Sequence, residues 1–334
     1  MAPIAVNQLV ASGVSIPRYL GSIAILFYAA AILIVLVSNV YGISIQTKVP
    51  LLGLLLVVAV GWNVFRINDN HAVRLDPPAD QNSMEQAGQL PAMKNVFETW
   101  VETRQDAIDL ASPDRPYPVY VVSAQGGGVY AAFHAAKALG VLTEAIPEFP
   151  SHIFAISGVS GGSVGSSLYV NALDGVEANQ VPERIDNTFD TDHLSPVLAA
   201  MLFGDLTQRF YPLPVATWDR ALGLELSFEN GGRAGVADGG PAAINMEKPF
   251  FASQRDSRWQ ETKTPYLVLN TTEVKSGLRL LLSPFEFKTD ARFHEPVSVK
   301  RPQDKNQDIR FSTCLLYTSP SPRDQRGSRM PSSA

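Results

Sequence analysis

One stretch of the chain, residues 117–173, constrains the fold more than any other, because strand, glycine turn and helix follow one another twice. An apolar, β-branched run at residues 118–124 predicts a strand that leads into Gly126-Gly127-Gly128. Residues 129–139 are strong helix formers, and the glycine after them marks the predicted helix end. A second apolar strand, residues 153–157, enters a second glycine turn and another predicted helix. The pattern predicts a β-α-β unit of an α/β fold with a parallel sheet.

The second turn is a G-x-S-x-G junction, Gly158-Val159-Ser160-Gly161-Gly162. Such a junction places the serine on a strained strand-to-helix turn, where the flanking glycines, here Gly158 and Gly162, avoid steric clashes. In a right-handed β-α-β unit both turns emerge at the carboxyl edge of one sheet, where open α/β folds bind ligands. Ser160 is therefore the predicted nucleophile. Four backbone amides form the predicted oxyanion hole for a tetrahedral acyl intermediate, those of Gly126, Gly127, Gly128 and Gly161.

This order of glycine loop, helix, strand and G-x-S-x-G resembles the patatin-like phospholipase family over about residues 94–313. The resemblance implies a three-layer α/β domain with a mainly parallel central sheet, lipid ester substrates such as phospholipids, and no metal or organic cofactor. It also implies a serine–aspartate dyad, and Asp238-Gly239-Gly240 is similar to the family's Asp-Gly-Gly motif. In the family that motif follows a strand pair resembling residues 266–282, whereas Asp238 precedes it. Asp238 is the candidate base, with an ordinary surface-loop aspartate as the alternative.

The end of the chain has an unusual composition. Residues 314–324 resemble the conceptual translation of a sequencing adapter, and from residue 319 on the chain is too polar and proline-rich to bury a core. We therefore expect residues 314–334 to be a disordered tail of artefactual origin. On this expectation the natural chain was cut near Thr313, Cys314 is not native, and the family's own Asp-Gly-Gly lay beyond the cut.

Two uncharged runs near the amino terminus predict a two-helix transmembrane hairpin before the α/β domain. Residues 19–45 exceed the roughly 20 positions that a membrane helix needs, and residues 49–65 reach the lower limit of about 17. The flanking basic residues favour a cytoplasmic catalytic domain by the positive-inside bias; they are Arg18, Arg66 and Arg74, against Lys48 in the turn. The expected segments are an amino-terminal stretch (1–18), two transmembrane helices (19–68), a linker (69–92), an incomplete acyl hydrolase domain (93–313) and the tail (314–334).

Composition limits the other classes of function. A net charge of −5 without a basic helix argues against a nucleic-acid partner, and one cysteine excludes an intrachain disulfide and a cysteine-based zinc site. Membrane lipids are the expected partners, as substrates. Three alternatives stay open: an α/β-hydrolase esterase with a triad of Ser160, Asp238 and His294, a dinucleotide-binding fold on the first glycine turn, and an inactive membrane-tethered scaffold.

Overall fold

The computed structural model describes residues 14–65, 67–71, 73–76, 90–111, 116–233, 243–256, 259, 261, 264–272, 279–287, 298–299 and 308–318. The chain divides into two compact units. One comprises Met1–Val73 and Asp190–Gly231, and the other comprises Arg74–Phe189 and Gly232–Ala334. This division differs from the predicted linear order of segments, because residues 190–231 group with the apolar amino-terminal part.

Seven strands are described, in two sheets. They are β1 (Leu75–Asp76), β2 (Tyr120–Ala124), β3 (Ile153–Val159), β4 (Tyr266–Thr272), β5 (Arg279–Leu282), β6 (Ser298–Val299) and β7 (Asp308–Ile309). β1 and β7 pair antiparallel, and the other five form one sheet in the order β2-β3-β4-β5-β6. Within it β4 and β5 are antiparallel, and the remaining pairs are parallel. The chain is therefore a mixed α/β protein with an open, mainly parallel sheet, which confirms the predicted fold class at this level.

The helices connect and cover these strands, after a helical segment at residues 14–20. In chain order they are α1 (Ser22–Thr47), α2 (Leu51–Phe65), α3 (Met93–Glu102), α4 (Gln105–Asp109), α5 (Gly128–Ala145), α6 (Phe149–His152), α7 (Gly161–Ala172), α8 (Val181–Phe189), α9 (Leu194–Ala199), α10 (Leu206–Gln208), α11 (Arg220–Gly232), α12 (Phe250–Arg255) and α13 (Phe311–Thr318). A π-helical turn, Ala200–Asp205, joins α9 to α10, and short 3₁₀ turns lie at Ala178–Gln180 and Ala216–Trp218.

An aromatic core supports one face of the main sheet. The ring of Phe154 lies 5.8 Å from those of Trp100, Tyr266 and Phe285, measured between centroids. These contacts attach α3 to the strands next to the G-x-S-x-G turn. α7 follows that turn, and its twelve residues are all buried. The strand before Ser160, β3, and the helix after it, α7, are thus both fixed by packing in the protein interior.

The predicted end of α5 is wrong, because the helix continues through Gly140 to Ala145. Glycine costs a helix interior about 1 kcal/mol relative to alanine. Here the absence of a side chain at Gly140 lets α8 pack closely, since a Cβ at this position would lie 2.9 Å from Cδ1 of Ile185. Tertiary packing therefore offsets the weak helix propensity of this residue.

The tail expected from residue 314 begins instead as an ordered helix. In α13 Phe311, Cys314 and Leu315 are fully buried. Ser312 and Thr313 between them are also fully buried, so this segment is enclosed on all sides. The expectation of disorder is wrong for residues 314–318, and residues 319–334 lie outside the described residues.

Among the described helices of the first unit, α1 is the one that is long and apolar enough to cross a membrane. Its 26 residues rise about 39 Å, whereas the 15 residues of α2 rise about 22 Å against a hydrocarbon core of about 30 Å. Of the α1 side chains only Ile25 is buried. The two helices meet at Lys48, whose left-handed φ of 59° turns the chain. A hairpin in which both helices span a membrane stays a prediction.

Candidate functional site

The two glycine turns lie side by side at one edge of the sheet. β2 and β3 are parallel, with Ala124 opposite Gly158, so both strands end at the same carboxyl edge. The backbones beyond them touch: a Cβ at Gly161 would lie 2.1 Å from the Gly128 carbonyl oxygen, and one at Gly162 would lie 2.2 Å from that of Ala124. Only glycine fits at positions 161 and 162 in this arrangement.

Ser160 has a backbone conformation that is rare for a residue with a side chain. Its φ is +51° and its ψ is −123°, and among the described non-glycine residues only Lys48 also has a positive φ. Such a conformation costs on the order of 1–3 kcal/mol and persists where surrounding structure enforces it. The side chain is half-buried and lies over Gly126, where a Cβ would be 3.0 Å from Ser160 Cβ and 3.7 Å from its Oγ. The strain predicted for this turn is therefore present in the structure.

Two helix N-termini converge on this serine. α5 begins at Gly128 after an N-cap glycine, and α7 begins at Gly161 after Ser160 itself, and neither N-cap residue makes a side-chain capping bond. The first N–H groups of a helix have no partner within it, and the helix dipole adds partial positive charge there. Gly127 (φ 148°) and Gly128 (φ 65°) give the first turn a shape that side chains disfavour. The predicted oxyanion-hole glycines thus belong to two adjacent turns rich in N–H donors.

Asn270 is a site residue that the sequence reasoning missed. It lies in β4 opposite Val159, two residues before the strand ends, and its Nδ2 donates to the hydroxyl of Ser157 at 2.9 Å and to the Gly158 carbonyl at 3.0 Å. These bonds fix the strand end two residues before the nucleophile turn. A polar amide directly after the apolar run 266–269 of β4 is the signal that could have identified it.

The general base is the part of the site that the described residues do not supply. Among them, none donates to or accepts a hydrogen bond from Ser160 Oγ, a relation that would activate the hydroxyl. Asp238 and His294, the two candidate partners, both lie outside the described residues. Across the described ranges no three His, Cys, Asp or Glu side chains are grouped closely enough to hold a metal ion.

Two strongly shifted titratable groups belong to the scaffold and not to the serine turn. Burial lowers the pKa of Arg104 to about 10, and its Nε donates to the Ser151 carbonyl at 2.6 Å, before the first residue of β3. Burial likewise raises the pKa of Tyr169, whose hydroxyl bonds that of Thr143 at 2.8 Å and links α7 to α5. These two groups stabilise the packing of helices and strands and do not take part in the site around Ser160.

Comparisons of the chain with protein-family models, with curated proteins and with solved structures find no match. The class of site is therefore defined by geometry alone: a strained serine between two helix N-termini at the carboxyl edge of a parallel sheet.

Proposed function

We propose that this chain is a membrane-anchored serine acyl hydrolase of the patatin-like type, cleaving ester bonds of lipids such as phospholipids. The observation that carries the proposal is Ser160 at φ +51°, packed against Gly126 in a turn whose backbone contacts the first glycine turn. A serine held in this way faces donors suited to a negative oxygen, which is what acyl transfer requires. The order of motifs, which resembles that family, supports the same class.

The proposed reaction has two steps. Oγ of Ser160 attacks the ester carbonyl carbon, and the tetrahedral oxyanion is stabilised by amides of Gly126, Gly127, Gly128 and Gly161. The intermediate then expels the alcohol and leaves an acyl group on Ser160, which water removes as the free acid. Asp238 is the proposed base that takes the serine proton and returns it to the leaving alcohol. The reaction uses no metal or organic cofactor.

The lipid substrate class is supported by the amino-terminal helix. α1 is long and apolar enough to span a bilayer, and its apolar side chains are exposed, as they are not in the core helix of a soluble protein. We propose that α1 and α2 form a two-helix anchor and that the catalytic part lies on the cytoplasmic side. Such an anchor keeps the hydrolase at the surface where its substrates are found.

Labelling with a fluorophosphonate probe tests this function, because the probe reacts with activated serines. The full chain in detergent is expected to label, Ser160→Ala to lose all labelling, and the control Ser151→Ala to label at the wild-type rate. Ser151 is half-buried, its hydroxyl donates to the Glu148 carbonyl, and it precedes β3 at the opposite edge of the sheet. Labelling that survives in Ser160→Ala, or a folded wild-type chain that never labels, would refute the proposed nucleophile.

The base is tested separately by lipid-product analysis. Asp238→Asn should abolish release of fatty acid, while His294→Ala should retain full activity, because the proposed dyad needs no histidine. Loss of activity in His294→Ala alone would favour the serine–aspartate–histidine triad. A chain that labels at Ser160 but releases no product from any lipid would favour the inactive scaffold.

A further inference from the structure

The first unit is inverted in polarity compared with a water-soluble helical unit. Among its described residues, the buried hydrophobic side chains are, prolines apart, Val14, Ile25 and Phe228. The buried polar and charged side chains are far more numerous: Asn68, Asn70, His193, Ser195, Asp205, Gln208, Asp219, Glu225, Ser227 and Glu229. Soluble proteins rarely bury such groups in preference to apolar ones. A polar interior with an apolar exterior is the arrangement expected of helices that face lipid.

The inversion is clearest between residues 194 and 213. Asp205 points inward and accepts from Nη1 of Arg220 at 2.8 Å, and Gln208 Nε2 donates to the Leu213 carbonyl at 2.7 Å. The exposed side chains on the other side are large and apolar. They form what we term the apolar face: Leu194, Phe203, Leu206, Phe210, Tyr211 and Leu213. A helix in water would present the opposite pattern.

Charge is almost absent from the same stretch. Between His193 and Trp218 the only Asp, Glu, Lys or Arg residues are Asp205 and Arg209. The Asp205 side chain is 6% exposed and paired, so no exposed carboxylate lies along this stretch. Arg209 is held by Asn63 of α2, with 3.0 Å between Nη1 and Oδ1. Arg209 is therefore the only charged side chain of this stretch that is not buried.

The segment also meets both ends of the apolar helix pair. Arg18, which precedes α1, donates to the carbonyl of Asp192 at 3.0 Å. Asn68, which follows α2, is buried and donates to the carbonyl of Gln208 at 2.7 Å. Since the two ends of the pair are tied to one segment, that segment lies at the level where α1 would enter the bilayer.

We propose that the apolar face lies in the interface of the same bilayer that anchors the chain, as a second membrane contact. This inference rests on the anchoring proposed above. Leu194 to Gln208 rise about 22 Å, too short to span a bilayer, so the segment lies along the surface. The rings of Tyr211 and Trp218 are 5.6 Å apart, and aromatic residues of this kind concentrate at the headgroup level.

Site-directed labelling tests the proposal, because Cys314, the single cysteine of the chain, is fully buried and introduced cysteines can be labelled selectively. Phe210→Cys and Leu213→Cys probe the apolar face, Ile34→Cys probes the centre of α1, and Leu110→Cys, 89% exposed in the other unit, serves as the aqueous control. Each full-length variant carries an environment-sensitive fluorophore in phosphatidylcholine vesicles whose lipids are brominated either near the headgroup or near the chain end.

We expect the fluorescence emission of labels at positions 210 and 213 to lie at shorter wavelength than that of the label at position 110. Bromine near the headgroup should quench these two labels most. The label at position 34 should be quenched most by bromine near the chain end, and that at 110 by neither. Quenching at 34 without quenching at 210 and 213 overturns the inference and leaves the anchor intact. No quenching at 34 refutes the anchor itself. A wavelength shift at 210 and 213 without lipid quenching indicates that protein, such as a second copy of the chain, covers the face, which also overturns the inference.

Discussion

Replacing Gly161 with alanine tests whether the two turns act as a single site. A Cβ at this position would lie 2.1 Å from the carbonyl oxygen of Gly128, 3.0 Å from its carbon and 3.1 Å from its nitrogen. All three atoms are backbone, so no flexible side chain can move aside. Because Cβ atoms do not approach other atoms closer than 3.0 Å, the two turns would have to separate by at least about 0.9 Å.

That displacement sets the expected size of the effect. A misplacement of about 1 Å costs a catalytic arrangement about 10²-fold in rate, so fluorophosphonate labelling of Gly161→Ala should fall about 10²-fold. This loss corresponds to about 2.7 kcal/mol of transition-state stabilisation. The free energy of unfolding should fall by about 1–3 kcal/mol, as it does when extra atoms are forced into a packed region.

The assay compares labelling time courses of four folded chains in the same detergent. Wild type and Ser160→Ala set the upper and lower limits, and Gly140→Ala is the matched control. At Gly140 the new methyl would meet the mobile end of Ile185 at 2.9 Å, in the same unit but away from the turns, so labelling should stay within about two-fold of wild type. Wild-type labelling by a folded Gly161→Ala chain would show that the contact between the turns is irrelevant to reactivity.

Two other substitutions test the supports of each unit. Asn270→Asp keeps the size of the side chain but removes the donor to Ser157 and Gly158. With each of the two bonds contributing about 1 kcal/mol, the free energy of unfolding should fall by about 2 kcal/mol and labelling by up to about 30-fold. An unchanged labelling rate in the folded variant would exclude a positioning role. Asp192→Ala should lower the free energy of unfolding by about 1 kcal/mol in denaturant titrations at pH 7, because the carboxylate accepts from the amides of Leu194 and Ser195 at the start of α9. Burial alone would raise the Asp192 pKa, but hydrogen bonds from Ser195 and Leu194 and the charge of Arg18 lower it overall. The stability that the carboxylate contributes is therefore present at neutral pH and is lost as pH falls below about 3.8 through the folded-state pKa. A stability difference between wild type and Asp192→Ala that persists in acid would contradict this account.

The local parts of the fold were predictable from sequence for a physical reason. β-branched runs and obligatory glycines act within a few residues, so the strands, both turns and their shared sheet edge follow from residues 118–162. The continuation of α5 through Gly140 was not predictable, because it depends on Ile185 of another helix. Asn270 lies more than a hundred residues from the turn that it holds, so its role depends on the sheet pairing.

The grouping of residues 190–231 with the apolar helices was also beyond local reasoning. The spacing of apolar residues from Leu194 to Phe210 predicts a helix, but it does not say which side is covered by protein. The covered side is set by contacts that are distant in sequence, from Arg18 to Asp192 and from Asn68 to Gln208. Asp238 and His294 lie outside the described residues, and sequence patterns do not determine which of them approaches Ser160.

The strand order has a consequence for synthesis on the ribosome. β3 carries the reactive turn, and its partner on one side, β2, precedes it, but its partner on the other side, β4, begins about a hundred residues later. At about 5–20 residues per second, one edge of this apolar strand stays unpaired for roughly 5–20 s. An exposed strand edge is a template for aggregation. The nascent chain therefore passes through a vulnerable interval before the sheet closes, while its apolar helices have already left the ribosome.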